Sequence, residues 1–398
     1  MMQRQEYLNS LISFRDKELI KVVTGIRRCG KSTLLELFQD YLRSQGVTDE
    51  QIISVNFEEG EYDEIETYKQ LYSFVAKRLL PDKKMYIFLD EVQRVAEFQK
   101  AVDGLYVKKN CDVYITGSNA YLLSGELATL LSGRYVEIKM LPLSFKEYVS
   151  NFPENTNLER LYANYIHNSA FPYALEIPKQ KDRRQYLQGI YDTVVLKDIV
   201  ARKRFPDIAM LKSVVRFMFD NIGNTCSTKN VADAMTSAGR KIAVHTVESY
   251  LSALTESFIL YQIGRYDIKG KQYLKTGDKY YAVDIGLRYA LLGTQKADLG
   301  HILENVVFLE LIRRDYEVYI GKVRSSEVDF IAIGDEGEEY YQVAYTVIDA
   351  TGETLRRELA PLDAISDHNP KYLLTMDYTP LTSHNGIKQI NVLDWLLK

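Results

Sequence analysis

Gly25, Gly30, Lys31 and Ser32, in the octapeptide GIRRCGKS, have the spacing G-x-x-x-x-G-K-[ST]. Glycines at these places let backbone N–H groups approach phosphate oxygens, the lysine reaches the outer phosphates, and the hydroxyl holds a divalent cation. Asp90 and Glu91, in MYIFLDEVQ, supply the acids that phosphoryl transfer to water requires, one at the metal and one to take a proton from the attacking water. Ser118 and Asn119, in DVYITGSN, end a third apolar run where a γ-phosphate sensor would stand, although both residues also cap turns. Arg134, in LSGR, offers a cation for transition-state charge from its own chain or a neighbouring subunit, and a surface ion pair accounts for it equally well. Gly25, Arg28, Gly30, Lys31, Ser32 and Thr33 are therefore expected to bind nucleotide and Ser32 and Asp90 to hold Mg²⁺. Glu91, Lys31, Ser118, Asn119 and Arg134 are expected to act in catalysis.

These residues need a scaffold that brings distant segments together. LIKVVTG is short, apolar and β-branched, as a buried parallel strand is, and STLLELFQDYLRS after the loop spaces Leu34, Leu35, Phe38 and Leu42 as one face of a helix. Strand, glycine loop and helix make the phosphate cradle, because the helix N-terminus adds unpaired N–H groups and partial positive charge. No NKxD-like guanine-reading motif follows, so ATP is expected rather than GTP.

A chain of 398 residues exceeds the usual span of one hydrophobic core, so several domains are expected. Composition is that of a soluble globular protein; no segment has the roughly 20 apolar residues of a membrane span, and the start lacks a secretory apolar core, which makes the cytoplasm the expected location. Cys29, Cys111 and Cys226 lie far apart without metal-ligand or disulfide spacing. Net charge is −4, but Lys197 to Lys279 carries fourteen Lys and Arg against eight acids, a basic centre between acidic flanks.

Over nearly its whole length the chain resembles the bacterial and archaeal AAA-like P-loop ATPases that carry a C-terminal domain of unknown function. GIRRCGKSTLL, VNFEE, FLDEVQ, ITGSN, LSGRY, LPLSFKEY, AFP (Ala170 to Pro172) and ENVVFLEL carry that resemblance, in this order. It implies ATP binding with hydrolysis, and it tolerates basic residues at the positions of Arg27 and Arg28, where they would touch the γ-phosphate or a neighbouring subunit.

Residues 143–204 read as a helical lid or linker after an ATPase core of residues 1–142. Residues 205–285 hold three helical patterns and a lysine-rich hairpin, the layout of a winged helix. DNA contact is expected through Arg240, Lys241, His245, Lys269, Lys271 and Lys275, although such modules also serve as protein-interaction surfaces. Residues 286–398 run helix, three strands, helix, strand, an order that resembles the restriction-endonuclease-like core. Mapped onto it, Glu304 and Asp329 retain the acids, but the third-strand motif has become Gln342-Val343-Ala344, without the lysine that orients water, so a degenerate site is expected.

The fold class expected is therefore α/β: a P-loop NTPase of the AAA-like, additional-strand type, then a winged-helix module and a restriction-endonuclease-like domain. The function expected is an ATP- and Mg²⁺-dependent switch or motor on DNA or a nucleic-acid-associated partner. An ATP-dependent nuclease and a non-hydrolysing ATP-bound switch with a protein partner stand as alternatives, and a homo-oligomer would be needed for Arg134 to act on a neighbour.

Overall fold

Helix α1 (Gln5–Ser13) precedes β1 (Ile20–Thr24), which is buried along its whole length. Then follow α2 (Lys31–Ser44), β2 (Ile52–Asn56), α3 (Tyr68–Ala76), β3 (Met85–Asp90), α4 (Phe98–Tyr106), β4 (Cys111–Gly117) and β5 (Tyr135–Lys139). The computed structural model describes residues 4–120, 131, 133–200, 203–293, 298–378 and 382–398. Two units emerge, one reaching to Leu141 and including Glu256–Phe258, the other Pro142–Thr255 with Ile259–Lys398.

In the first unit five strands run parallel in the order β2-β3-β4-β1-β5, with β4 inserted between β1 and β3. A parallel sheet is covered on both faces, which is why MYIFL and VYI read as unbroken apolar runs and IKVVT as one broken only by its lysine. Val22, Ile87, Leu89, Val113 and Ile115 meet Leu71, Val75, Val102 and Leu105 in one core. Register sets Thr24 beside Gly117 and Asn56 beside Asp90, so the ends of β1, β2, β3 and β4 share one edge.

Lys21 interrupts the apolar run of β1 and is fully buried. Its Nζ lies 2.5 Å from Asp112 Oδ1 on β4, and Asp112 also accepts from Tyr114 Oη at 2.8 Å and from the Asp16 N–H at 2.8 Å. Burial pulls the Lys21 ammonium below its ordinary pKa despite Asp112, the mark of a costly charge held by its partner.

The second unit opens with α5 (Phe145–Val149), α6 (Leu158–Asn168) and α7 (Gln180–Asp192). Ser144 caps α5 in a reciprocal pair with Glu147, and the Leu143 N–H donates to Ala170 O at 2.8 Å, joining LPLSF to AFP. Helices α8 (Ile208–Asp220), α9 (Thr228–Ser237) and α10 (Val244–Glu256) lead into the hairpin β6 (Leu260–Asp267) and β7 (Gln272–Ala282). Next come α11 (Ile285–Leu292), α12 (Leu299–Arg313), β8 (Glu317–Val323), β9 (Ser326–Gly334) and β10 (Gly337–Ala344). The chain ends with α13 (Glu353–Asp363), β11 (Lys371–Thr375), β12 (Thr382–His384), β13 (Ile387–Asn391) and α14 (Val392–Leu396).

The hairpin is not a free-standing wing. β6 pairs in parallel with β8, so an eight-stranded sheet runs β12-β13-β11-β10-β9-β8-β6-β7, and main-chain hydrogen bonds cross the division expected at residue 285. AFP and the start of α11 are also joined: Asp284 accepts from the Ala170 N–H at 2.7 Å and from the Leu287 N–H at 2.6 Å. Gly286 leaves no room for a side chain there, since a Cβ would stand 2.4 Å from the Ser169 backbone. Burial pushes the Asp284 carboxyl up to about 6. Within ENVVFLEL, Asn305 binds both polar groups of the Ala282 backbone, each at 2.8 Å.

Asp112→Ala is expected to lower unfolding stability by about 3–5 kcal/mol, because it strands a buried ammonium. Urea titration of Asp112→Ala beside Lys21→Met/Asp112→Leu checks it, with most of the loss recovered in the double variant.

Candidate functional site

At the shared edge, the loop between β1 and α2 curls over the strand ends. The extended, positive-φ backbone of Gly25 (φ 152°) passes so close to β5 that a Cβ there would lie 2.1 Å from Met140 O. Gly30, with φ 106°, turns the chain into α2, and Arg28 takes a left-handed φ of 68°. The first N–H groups of α2 have no acceptor within the helix, which leaves donors and partial positive charge at the loop. Arg4 braces the loop from beneath, donating to Cys29 O at 2.9 Å and Leu141 O at 2.8 Å. Cys29 is buried, its Sγ beneath Gly25, so the thiol packs the loop from inside.

Lys31 is almost wholly buried and donates to Gly25 O at 3.0 Å, while its Nζ stands 3.3 Å from Glu91 Oε1. Burial works against the Lys31 charge, but Glu91 and its neighbours outweigh it and raise the ammonium above its ordinary pKa. Glu91 answers in kind: burial would raise it, yet Lys31 and then Arg27 hold its carboxylate below the usual range. Asp90 is pushed up by burial, and hydrogen bonds from Ser32 and Thr116 oppose that rise. Thr116 links the two acids, donating to Asp90 Oδ1 and accepting from the Glu91 N–H at 2.9 Å.

The structure thus brings together Gly25, Gly30, Lys31, Ser32, Asp90, Glu91 and, through Gln93, Ser118. Gln93 Nε2 lies 2.6 Å from Glu91 Oε2 and 3.4 Å from Ser118 Oγ. Asn119 follows Ser118 and is buried, and Thr33 sits in the first turn of α2. Arg28 is exposed, whereas Arg27 pairs with Glu58 at 2.6 Å. Arg134 is not in the cluster: it precedes β5, at the opposite edge of the sheet, one strand length or ~16 Å away, and pairs with Asp103 at 2.5 Å. Four further residues hold the site together: Arg4 and Met140 lie outside every motif, whereas Thr116 and Gln93 lie within ITGSN and FLDEVQ, where no role was assigned to them.

A second polar centre lies in the other unit. Glu304 on α12 accepts from Tyr281 Oη and pairs with Lys279 Nζ at 2.9 Å, and Lys279 also meets Glu327 at 2.8 Å. Asp329 accepts from the Val343 N–H at 2.8 Å, and Gln342 Nε2 donates to Glu358 Oε2 at 3.0 Å. Burial and then Glu304 hold Asp329 well above the usual carboxylate range. Burial would lower Lys279, but Glu304, Asp329 and Glu327 hold it above its ordinary value. A lysine from β7 therefore stands among these acids, a position sequence order could not suggest. Among the described residues, no group of three or more His, Cys, Asp or Glu is spaced to hold a metal.

Of the residues expected to meet DNA, Lys241 is exposed ahead of α10, His245 on α10, and Lys269 and Lys271 at the hairpin turn. Arg240 is tied back to α8 through Ala209 O at 3.2 Å and Ser213 Oγ at 2.8 Å, and the side chain of Lys275 lies outside the described residues. No described helix is long and apolar enough to cross a membrane.

Residues 17–149 match a family described as AAA domain, and residues 159–298 match a domain of unknown function (DUF8612). An uncharacterized protein of Haemophilus influenzae is 42% identical over 402 residues, covering 100% of this chain and 99% of its own length. Uncharacterized protein MJ1544 of Methanocaldococcus jannaschii is 27% identical over 351 residues, 84% of this chain and 76% of that one. The Walker-type ATPase PABY2304 of Pyrococcus abyssi is similar in fold, with a TM-score of 0.50 at 16% identity across 73% of this chain and 96% of that one.

Gly25→Ala is expected to cost about 1–3 kcal/mol through overlap with Met140 and to weaken ATP binding at least about tenfold. Thermal unfolding and titration with a fluorescent ATP analogue check this against Gly60→Ala, where the nearest atom to the new methyl is 3.7 Å away.

Proposed function

Because the chain belongs to a family of proteins that join a P-loop AAA domain to a domain of unknown function, we propose that it is a Mg²⁺-dependent ATPase whose nucleotide state switches its action on DNA or on a nucleic-acid-associated partner. One observation carries the reading: Lys31, Asp90 and Glu91 are buried together at the strand edge, beneath the glycine loop that leads into the N-terminus of α2.

The residues present fit both groups. The N–H groups of Gly30 to Thr33 would take the phosphates, and Lys31 would exchange Glu91 for a phosphate oxygen. That exchange would leave the Glu91 carboxylate to accept a proton from water. Ser32 and Asp90 would hold Mg²⁺, which supplies neutralisation of phosphate charge. Ser118 and Asn119 would sense the γ-phosphate. Arg134, exposed at the far edge, would act only on a neighbouring subunit.

The basic segment with Lys241, His245, Lys269 and Lys271 exposed supports nucleic acid as the surface acted upon. The Lys279 network supports a binding or packing role for the C-terminal strands over cleavage, since an ammonium already pairs with both Glu304 and Glu327.

Steady-state hydrolysis and equilibrium nucleotide binding test the proposal. Glu91→Gln is expected to retain MgATP binding while kcat falls about 10²–10⁴-fold, and Lys31→Ala to lose affinity. Unchanged affinity in Lys31→Ala, or no turnover by the wild type, refutes the hydrolytic reading. The DNA reading fails if duplex and single strands neither stimulate turnover nor bind with salt dependence. If they do bind, Lys269→Ala/Lys271→Ala is expected to reduce the salt slope by about two.

A further inference from the structure

The side chain of Gln93 is anchored at one end and unpaired at the other. Its Nε2 donates to Glu91 Oε2 at 2.6 Å and lies 3.4 Å from Ser118 Oγ, so it bridges the ends of β3 and β4. Its Oε1 is buried without a hydrogen-bond partner. The carboxylate fixes this orientation, because a flipped amide would set oxygen against oxygen. A buried acceptor left unpaired is costly, and in a functional site it marks a place where a donor arrives.

Local backbone geometry produces the arrangement. Glu91 has a left-handed φ of 52°, and Val92–Arg94 form a single tight turn. The Glu91 N–H is tied to Thr116 on β4, and Arg94 donates to Phe57 O at 2.8 Å, which fixes the other end of the turn. Gln93 is thereby held from both sides against the carboxylate.

We propose that Gln93 is a further catalytic residue of ATP hydrolysis: Nε2 holds Glu91 in place and Oε1 accepts the second hydrogen of the attacking water. The inference rests on the hydrolytic reading above. Water with one hydrogen on Glu91 and the other on Gln93 has its oxygen lone pair left for phosphorus. As the bond from that oxygen to the γ-phosphorus forms, the bond to the β,γ-bridging oxygen breaks and its electron pair leaves with ADP. One water proton passes to Glu91, and the other stays on the phosphate until product release.

The experiment is kcat, KM and the pH profile of kcat for the wild type, Gln93→Met and Gln93→Glu as full-length proteins, with MgATP affinity measured in parallel. Gln93→Met keeps the volume and removes both hydrogen bonds. It is expected to lower kcat about 10–100-fold with affinity and KM within about twofold. Losing a donor to the ionised form raises the Glu91 pKa, so the acidic limb of the profile moves to higher pH. Gln93→Glu sets a second carboxylate against Glu91 and moves that limb further in the same direction. A kcat near wild type with an unmoved limb overturns the inference while leaving the ATPase reading intact, as does a kcat loss matched by an equal loss of affinity. A wild type without turnover removes the hydrolytic reading and this inference with it.

Discussion

An ammonium group buried beneath a backbone loop must find acceptors there, and the first unit is arranged around that constraint on Lys31. Gly25 O and Ile26 O supply two, Glu91 supplies the balancing charge, and all must reach one point at the edge of the sheet. Insertion of β4 between β1 and β3 makes this feasible, since Thr116 on β4 ties Asp90 and the Glu91 backbone into a fixed pair. Glycine at position 25 is then dictated by Met140, because only a residue without Cβ passes β5 that closely.

Buried lysines recur at two other places, and the contrast among the three is informative. Lys21 and Asp112 are sealed inside the sheet with Tyr114, a pair that fixes β1 against β4. Lys279 is surrounded by Glu304 and Glu327, with Tyr281 on the same carboxylate. Lys31 alone of these stands at the N-terminus of a helix, where the backbone carries partial positive charge. The same electrostatic rule thus gives a brace within the sheet, an internal network and a pair beneath the glycine loop, according to what lies beside each lysine.

Several segments that mark the resemblance to AAA-like ATPases turn out to organise backbone. LPLSF and AFP are joined by a main-chain hydrogen bond, AFP rests on Asp284, and Asn305 of ENVVFLEL grips the end of β7. Their polar atoms are consumed by N–H and C=O groups that would otherwise be buried unpaired. Recurrence of a segment in related sequences is therefore no guide by itself to chemistry.

The sequence by itself determined the local facts: a glycine loop between an apolar strand and an amphipathic helix, acids closing a second apolar run, polar residues closing a third. Such features follow from residue types within a few positions of one another, where periodicity and backbone freedom act directly. It also made the order of helices and strands in the second unit legible, from its alternating apolar patterns. Tertiary structure alone decided the strand order, the meeting of Lys31 with Glu91, the brace from Arg4 and the placement of Arg134 at the far edge. It also drew the expected wing into the C-terminal sheet and set Lys279 among acids from α12 and β9. These contacts join residues up to scores of positions apart through sheet register and burial, and neither quantity is written in the local spacing of side chains.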